Sequence, residues 1–256
     1  SIPSLVLEQA NQFREAGYGI LLSPNVYKVF DALGLYSQMK AISSFPDQLV
    51  WIDEPNNFEY MKVPMGKEIL NRFNYPYGSF HREDLLRVLL NECDKNPYIT
   101  LVKSARIIQV KQTSNGVTVF AEDGKSFEGP ALIGCDGLWS IVRKSVIDEE
   151  KPRQSGHVTH RGFVKGDQLS NDVNKNSVIH WDRPNAHLVQ YPVGNRGYFN
   201  IVAVYKSSKV HQFEDPTGDP NELEEKFQGA RREIKELLSH VDTSRKWLLC
   251  DREPKA

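Results

Sequence analysis

The segment Gly134-Cys135-Asp136-Gly137-Leu138-Trp139-Ser140-Ile141-Val142-Arg143 constrains this chain more than any other. It follows the apolar, strand-like run Ala131-Leu132-Ile133 and leads into Ile141–Val146, which has helical character. Two glycines around an acid let the backbone turn sharply or pass close to a ligand. Ser140 stands at the helix start, where unpaired N–H donors suit a phosphate. Such an order of strand, turn and helix serves a nucleotide-binding unit, or equally a tight connection that binds nothing.

The flanking sequence supports an α/β reading. Residues 4–8 read as a buried strand ending on an acid. Ser23-Pro24-Asn25 opens a helix through residue 33, with Ser23 as cap, Pro24 at the first position and Gly34 as the stop. Residues 45–78 are rich in Pro, Asn and aromatics and predict short strands with loops. A leucine-rich face with a 3.6-residue period predicts an amphipathic helix over 82–93. Strands are expected over 99–102, 106–111, 117–121 and 126–127, with Asn115-Gly116 and Asp123-Gly124 as turns. Beyond Pro152 the strands lengthen, over 157–164, 177–181, 187–193 and 198–205, and a long helix is expected over 222–241. A nucleotide-type part followed by a strand-rich part predicts two interleaved domains, 1–40 with 80–150 and 41–79 with 151–250.

Bulk properties exclude several functions. Lys+Arg 32 against Asp+Glu 33 leaves a net charge of -1, so nothing electrostatic favours nucleic acid or an anionic membrane. With 25% charged and 39% hydrophobic residues the composition is that of a globular protein. No apolar run is long enough to span a bilayer, and residues 1–10 lack a basic and apolar signal region. Cys93, Cys135 and Cys250 are odd in number and widely spaced, which fits neither a disulfide framework nor a zinc site and favours a reducing cytosol.

His187, Val189 and Tyr191 alternate along one predicted strand, so they share a face. An imidazole there can take a phenol's proton near neutral pH, while Tyr191 holds a ring substituent or carboxylate. The plainer alternative is a structural histidine on a half-buried strand. Glu8 has two readings as well, an acid that binds adenosine ribose hydroxyls or a solvated strand end. Asp123-Gly124-Lys125-Ser126 lacks the earlier glycine of a phosphate loop, because that position is Val119. His157 and His160 point to opposite faces of a strand, so no metal is expected there. No Gly-x-Ser-x-Gly elbow exists, which argues against an α/β-hydrolase.

Together the segments resemble the FAD-dependent aromatic hydroxylases, the single-component flavoprotein monooxygenases, over nearly the whole chain. The resemblance rests on Gly134–Arg143 as the family's Asp-Gly motif and on Val6-Leu7-Glu8-Gln9-Ala10 as its second strand and acid. It rests also on the following glycine segment from Gly17, on His81-Arg82-Glu83-Asp84-Leu85, and on Asp251-Arg252-Glu253-Pro254. Among the 3-hydroxybenzoate and salicylate hydroxylating members, which look most similar, His160-Arg161-Gly162, the 187–192 strand and Asp251–Pro254 favour the former.

The resemblance implies an α/β fold, a Rossmann-like FAD domain interleaved with a strand-rich mixed-sheet substrate domain, p-hydroxybenzoate hydroxylase-like. It implies FAD held by Glu8, Gln9, Gly19, Arg82, Ile107, Asp136 and Gly137, with His187 activating the substrate and Tyr191 positioning it. The implied reaction is hydroxylation of a hydroxylated aromatic acid by a flavin hydroperoxide, with O2 and NADH or NADPH as co-substrates, and a homodimer is compatible with it. The family's Gly-x-Gly-x-x-Gly, expected about thirty residues before the acid, and its later Gly-Asp motif are absent from the 256 residues. Either the chain is part of a longer protein, the expectation adopted here, or it is a degenerate, non-catalytic binding module. A related flavin epoxidase or oxidase stays open within the enzyme class.

Overall fold

The structure is a computed structural model that describes residues 2–13, 17–147, 151–209, 211–213 and 215–254. The chain divides into two compact units, Ser1–Glu15 with Leu89–Ser155 and Cys250–Ala256, and Ala16–Val88 with Gly156–Leu249. Residues 17–40 and 80–88 lie in the second unit.

In the first unit, β1 (Ser4–Leu7) pairs in parallel with β6 (Ile99–Val102), from Ser4 opposite Ile99 to Leu7 opposite Val102. A separate antiparallel meander follows, β7 (Ile107–Thr113), β8 (Gly116–Ala121) and β9 (Ser126–Gly129). Its turns form where the Asn-Gly and Asp-Gly pairs predict them: Gly124 N–H donates to the Ala121 carbonyl at 3.0 Å. Two expectations fail in this unit. β1 is exposed rather than buried, with Leu5 45% and Val6 41% accessible, because β6 is its only partner among the described strands. Ala131–Ile133 forms no strand, since no described strand supplies it with a ladder, and Ile133 is 84% exposed.

The second unit is built on a seven-stranded sheet ordered β14-β10-β13-β12-β11-β3-β4. Its strands are β3 (Gln48–Asp53), β4 (Phe58–Pro64), β10 (Arg153–Lys165), β11 (Ser177–Arg183), β12 (Ala186–Val193), β13 (Tyr198–Lys206) and β14 (Val241–Asp251). Neighbours from β10 to β11, and β3 with β4, are antiparallel, whereas β11 and β3 run parallel. Side-chain alternation divides the sheet into two faces. Val158, Leu188, Ile201, Ala203 and Tyr205 line one face and pack on Leu223, Phe227, Ile234 and Leu237 of the helical layer, forming the main core.

That helical layer corrects the expectation of one long helix over 222–241. The chain forms α6 (Pro220–Lys226) and α7 (Arg232–Ser239), separated at Gly229, whose φ of +73° ends helical propagation. Phe227 and Ala230 in the break are buried in the core, and Val241 begins β14 rather than closing a helix. Asp219 caps α6 by accepting from the Asn221 and Glu222 amides.

The opposite face gathers Val178, Tyr191 and Val193, with Leu21, Leu49, Phe163, Val189 and Tyr198 packed against them. A small antiparallel pair lies on it, β2 (Gly19–Leu22) with β5 (Gly78–His81). Ser79 Oγ donates to the Pro192 carbonyl at 2.5 Å, and the Gly19 amide donates to Asn200 Oδ1 at 3.2 Å. α1 (Pro24–Ala32) starts on its proline and is followed by Gly34 at φ +72°, as its sequence predicts, but the Ser23 hydroxyl turns to the Asn25 side chain and caps no backbone amide. α2 (Tyr36–Ile42) and α3 (Lys67–Phe73) are helices that the Pro- and aromatic-rich reading misses. They are short, and the buried ring of Tyr27 packs edge-on against Tyr36 with Phe30, Phe45 and Phe80 around it. α4 (Arg82–Lys95) follows β5 directly.

Candidate functional site

β12 places His187, Val189 and Tyr191 on one face of the sheet, the one bearing β2 and β5. A rise of about 3.3 Å per residue puts the imidazole and the phenol about 13 Å apart along the strand, with Val189 between them. Antiparallel register sets Asp182 of β11 opposite His187 and His180 opposite Val189, so both project to the same face. The His180 and His187 rings stack with centroids 4.6 Å apart. His180 Nδ1 lies 2.8 Å from Asp182 Oδ1, within ion-pair range but out of line for a hydrogen bond, and is otherwise buried without a partner. Tyr60 donates its hydroxyl to the other oxygen of Asp182, and Trp51 of β3 stands 6.1 Å from the His180 ring. Nitrogen and oxygen atoms of His180, Asp182 and His187 all fall within 4.8 Å of one another.

Burial, reinforced by His180 and opposed by Asp182, holds the His187 imidazole below its ordinary pKa. Near neutral pH this ring is uncharged and able to accept a proton. Burial pushes the Tyr191 phenol up to about 12, against the lowering pull of Arg161 and Arg82. Tyr191 is 7% exposed, stays protonated and serves as a donor. One acceptor and one donor thus stand on a sheet face whose intervening surface, Val189 and its neighbour Val202, is apolar.

Gly19 lies over this face. A Cβ there would stand 2.6 Å from Val193 Cγ2 and 2.8 Å from Tyr191 Cε2, so only glycine lets β2 approach. The backbone N–H of Arg82 donates to the Tyr18 carbonyl, and its half-buried side chain opens α4.

In the first unit, Asp136 precedes α5 (Ile141–Val146) and accepts from Ser140 Oγ at 2.5 Å and from the Ile141 and Val142 amides at 2.7 and 3.2 Å. Burial opposes ionisation, but these bonds outweigh it and hold the carboxyl below its usual range. Ser140 caps the helix through the Arg143 amide, as its position predicts. Gly137 has φ +74° with nothing within 4 Å of its Cβ position, so its backbone is open to a ligand. Glu8 is half-buried at the end of β1, with Oε1 taken by the Ala10 amide at 2.7 Å and Oε2 without a hydrogen bond among the described residues. Gln9 is exposed and Ile107 half-buried at the start of β7. A strand-end carboxylate with a free acceptor suits ribose hydroxyls, and an open positive-φ glycine suits a passing pyrophosphate, so the residues present fit an FAD.

The structure brings His187 and Tyr191 onto one face with Gly19 and puts Glu8 and Asp136 in one unit; Arg82 belongs to the other. Sequence reasoning missed His180, Asp182 and Tyr60. The alternation of His180 and Asp182 was a usable signal, but their pairing with His187 depends on hairpin register. His157 and His160 do point to opposite faces: His160 is fully buried, with Nε2 3.3 Å from the Tyr205 hydroxyl. The three cysteines are free, and among the described residues no helix is long and apolar enough to cross a membrane.

No protein-family model matches the chain. It is 31% identical over 251 residues to 3-hydroxybenzoate 6-hydroxylase 1 of Aquipseudomonas alcaligenes, covering 98% of this chain and 64% of that protein. It is 32% identical over 249 residues to 3-hydroxybenzoate 6-hydroxylase of Polaromonas naphthalenivorans, covering 97% of this chain and 62% of that protein. The chain thus spans somewhat less than two thirds of the length of these relatives. Its fold matches Klebsiella pneumoniae HpxO complexed with FAD and uric acid at a TM-score of 0.80 and 17% identity, over 98% of this chain and 68% of that one. By sequence this chain is similar to 3-hydroxybenzoate 6-hydroxylases, and its fold is that of a protein solved with FAD and uric acid.

Proposed function

We propose that this protein serves in the FAD-dependent hydroxylation of a hydroxylated aromatic acid of the 3-hydroxybenzoate or salicylate type, with NADH or NADPH and O2 as co-substrates. The observation that carries the reading is the uncharged, half-buried His187 on the same face as the protonated Tyr191, separated by an apolar surface. A phenol becomes a better nucleophile when it loses its proton, and an imidazole held neutral by burial is the acceptor such a step needs. His187 takes the ring hydroxyl's proton, and the nearby Asp182 carboxylate favours the imidazolium that forms. Tyr191 donates to a second substituent, and Val189 and Val202 keep water from the ring. Of the residues that the resemblance assigns to FAD, Glu8, Gln9, Ile107, Asp136 and Gly137 of the first unit would hold it. When bound, FAD would relay electrons from the nicotinamide to O2 and supply the oxygen transfer that no side chain provides.

The test is NADH and NADPH consumption by the complete protein loaded with FAD, with salicylate, 3-hydroxybenzoate and 6-hydroxynicotinate compared. Stimulation by one acid together with hydroxylated product supports the reading. A colourless protein that takes up no added FAD, yet binds an aromatic acid, refutes it in favour of a binding module.

A further inference from the structure

Arg161 of the second unit's sheet carries a buried nitrogen with no hydrogen-bond partner. It projects from β10 to the same face as His187 and Tyr191, since it pairs across the ladder with Val202, which in turn pairs with Val189. Its guanidinium carbon lies 5.2 Å from the Tyr18 ring centroid and 5.4 Å from that of Trp247. Those two rings meet edge to face at 5.4 Å, and the Arg245 guanidinium carbon also stands 5.2 Å from the Trp247 centroid. The Nε atom is buried without a hydrogen-bond partner, and Arg161 forms no ion pair among the described residues. A guanidinium carries five donors in a rigid fork, and a half-buried one left unpaired requires an explanation. Three other arginines of the unit have carboxylates: Arg196 and Arg87 share Asp84, and Arg183 faces Glu54.

We propose that Arg161 is the anchor for the carboxylate of the aromatic acid, a role that rests on the reading above for the identity of that acid. Two flat rings flank the fork without using its donors, which leaves them for a planar, two-oxygen acceptor. β10 and β12 lie two strands apart, about 10 Å, and Val202 and Val189 form the floor between arginine and imidazole. An aromatic ring on that floor points its acid toward Arg161 and its hydroxyl toward His180 and His187. A dinucleotide phosphate, which needs no apolar floor, is the less suited occupant.

The experiment is titration calorimetry on the complete, FAD-loaded protein with 3-hydroxybenzoate, 3-hydroxybenzyl alcohol and inorganic pyrophosphate, comparing wild type, Arg161→Gln and Arg161→Lys. Loss of a charge-assisted fork predicts acid binding about tenfold to a hundredfold weaker in Arg161→Gln, with alcohol binding unchanged and a partial recovery in Arg161→Lys. Thermal midpoints verify that each variant is folded, and Arg161→Lys alone decides the matter if the glutamine variant is not. Equal acid affinity in a folded variant, tighter Arg161-dependent binding of pyrophosphate, or no acid binding to the folded wild type overturns the proposal. Arg161-dependent acid binding in a complete protein that hydroxylates nothing would sink the enzymatic reading and leave this site standing.

Discussion

Replacing Gly19 by alanine separates two explanations of that glycine. The family resemblance assigns it to the cofactor, whereas the structure gives it a packing role that needs no ligand. An added Cβ would lie 2.6 Å from Val193 Cγ2, 2.8 Å from Tyr191 Cε2 and 3.1 Å from Asn200 Cβ. Carbon atoms prefer about 3.5–4.0 Å, so the first contact is closer by about 1 Å. Tyr191 and Val193 are core residues on a central strand and cannot retreat as a surface side chain would. Overpacking of this kind costs about 1–3 kcal/mol. Lifting β2 also strains the Gly19 amide bond to Asn200, about 0.5–1.5 kcal/mol more. The expected loss is about 1.5–4.5 kcal/mol, or a drop of about 3–18 °C in the melting midpoint for a chain of this size. The assay is urea and thermal unfolding in the absence of flavin. Gly137→Ala is the control, because it has a positive φ but open space around its Cβ and should cost only about 1 kcal/mol. If Gly19→Ala unfolds within about 0.5 kcal/mol of wild type without flavin, the packing argument is wrong.

Three further outcomes are expected. His187→Ala in the complete, FAD-loaded protein should lower turnover by about 10²–10⁴, read by product formation, and an unchanged rate and pH profile would exclude it as the base. Burial lowers the pKa of both His160 and His187 in the folded state, so the unfolded chain binds more protons as pH falls below about 6.5. Their contribution is present above that pH and is lost on acidification, so the urea midpoint should fall between pH 7 and pH 5, and less so in His160→Gln. Leu237→Ala should cost about 2–5 kcal/mol by urea unfolding, because Leu237 is 0% exposed where α7 meets the sheet.

Local chemistry made much of this molecule legible in its sequence. Pro24 and Gly34 bound a real helix, Ser140 is a real cap, and the alternation of His187, Val189 and Tyr191 survives in β12. What could not be read depends on distant partners. The 222–241 pattern is helical at both ends, yet one glycine and the pull of the core on Phe227 and Ala230 split it. Residues 131–133 have strand composition, but composition cannot provide a neighbouring strand. The His180–Asp182–His187 cluster and the unpaired Arg161 arise from register across the sheet, which no single segment encodes.

The parallel seam between β3 and β11 joins Gln48 to Ser177 and Asp53 to Asp182. During synthesis, β3 and β4 leave the ribosome as a hairpin with one unpaired edge and wait for more than a hundred residues before their neighbour exists. Such a delay favours slow folding and leaves Val50 and Trp51 available for wrong associations in the meantime. Yield from expression should therefore respond to temperature and to chaperone supply more than the finished protein's stability would suggest.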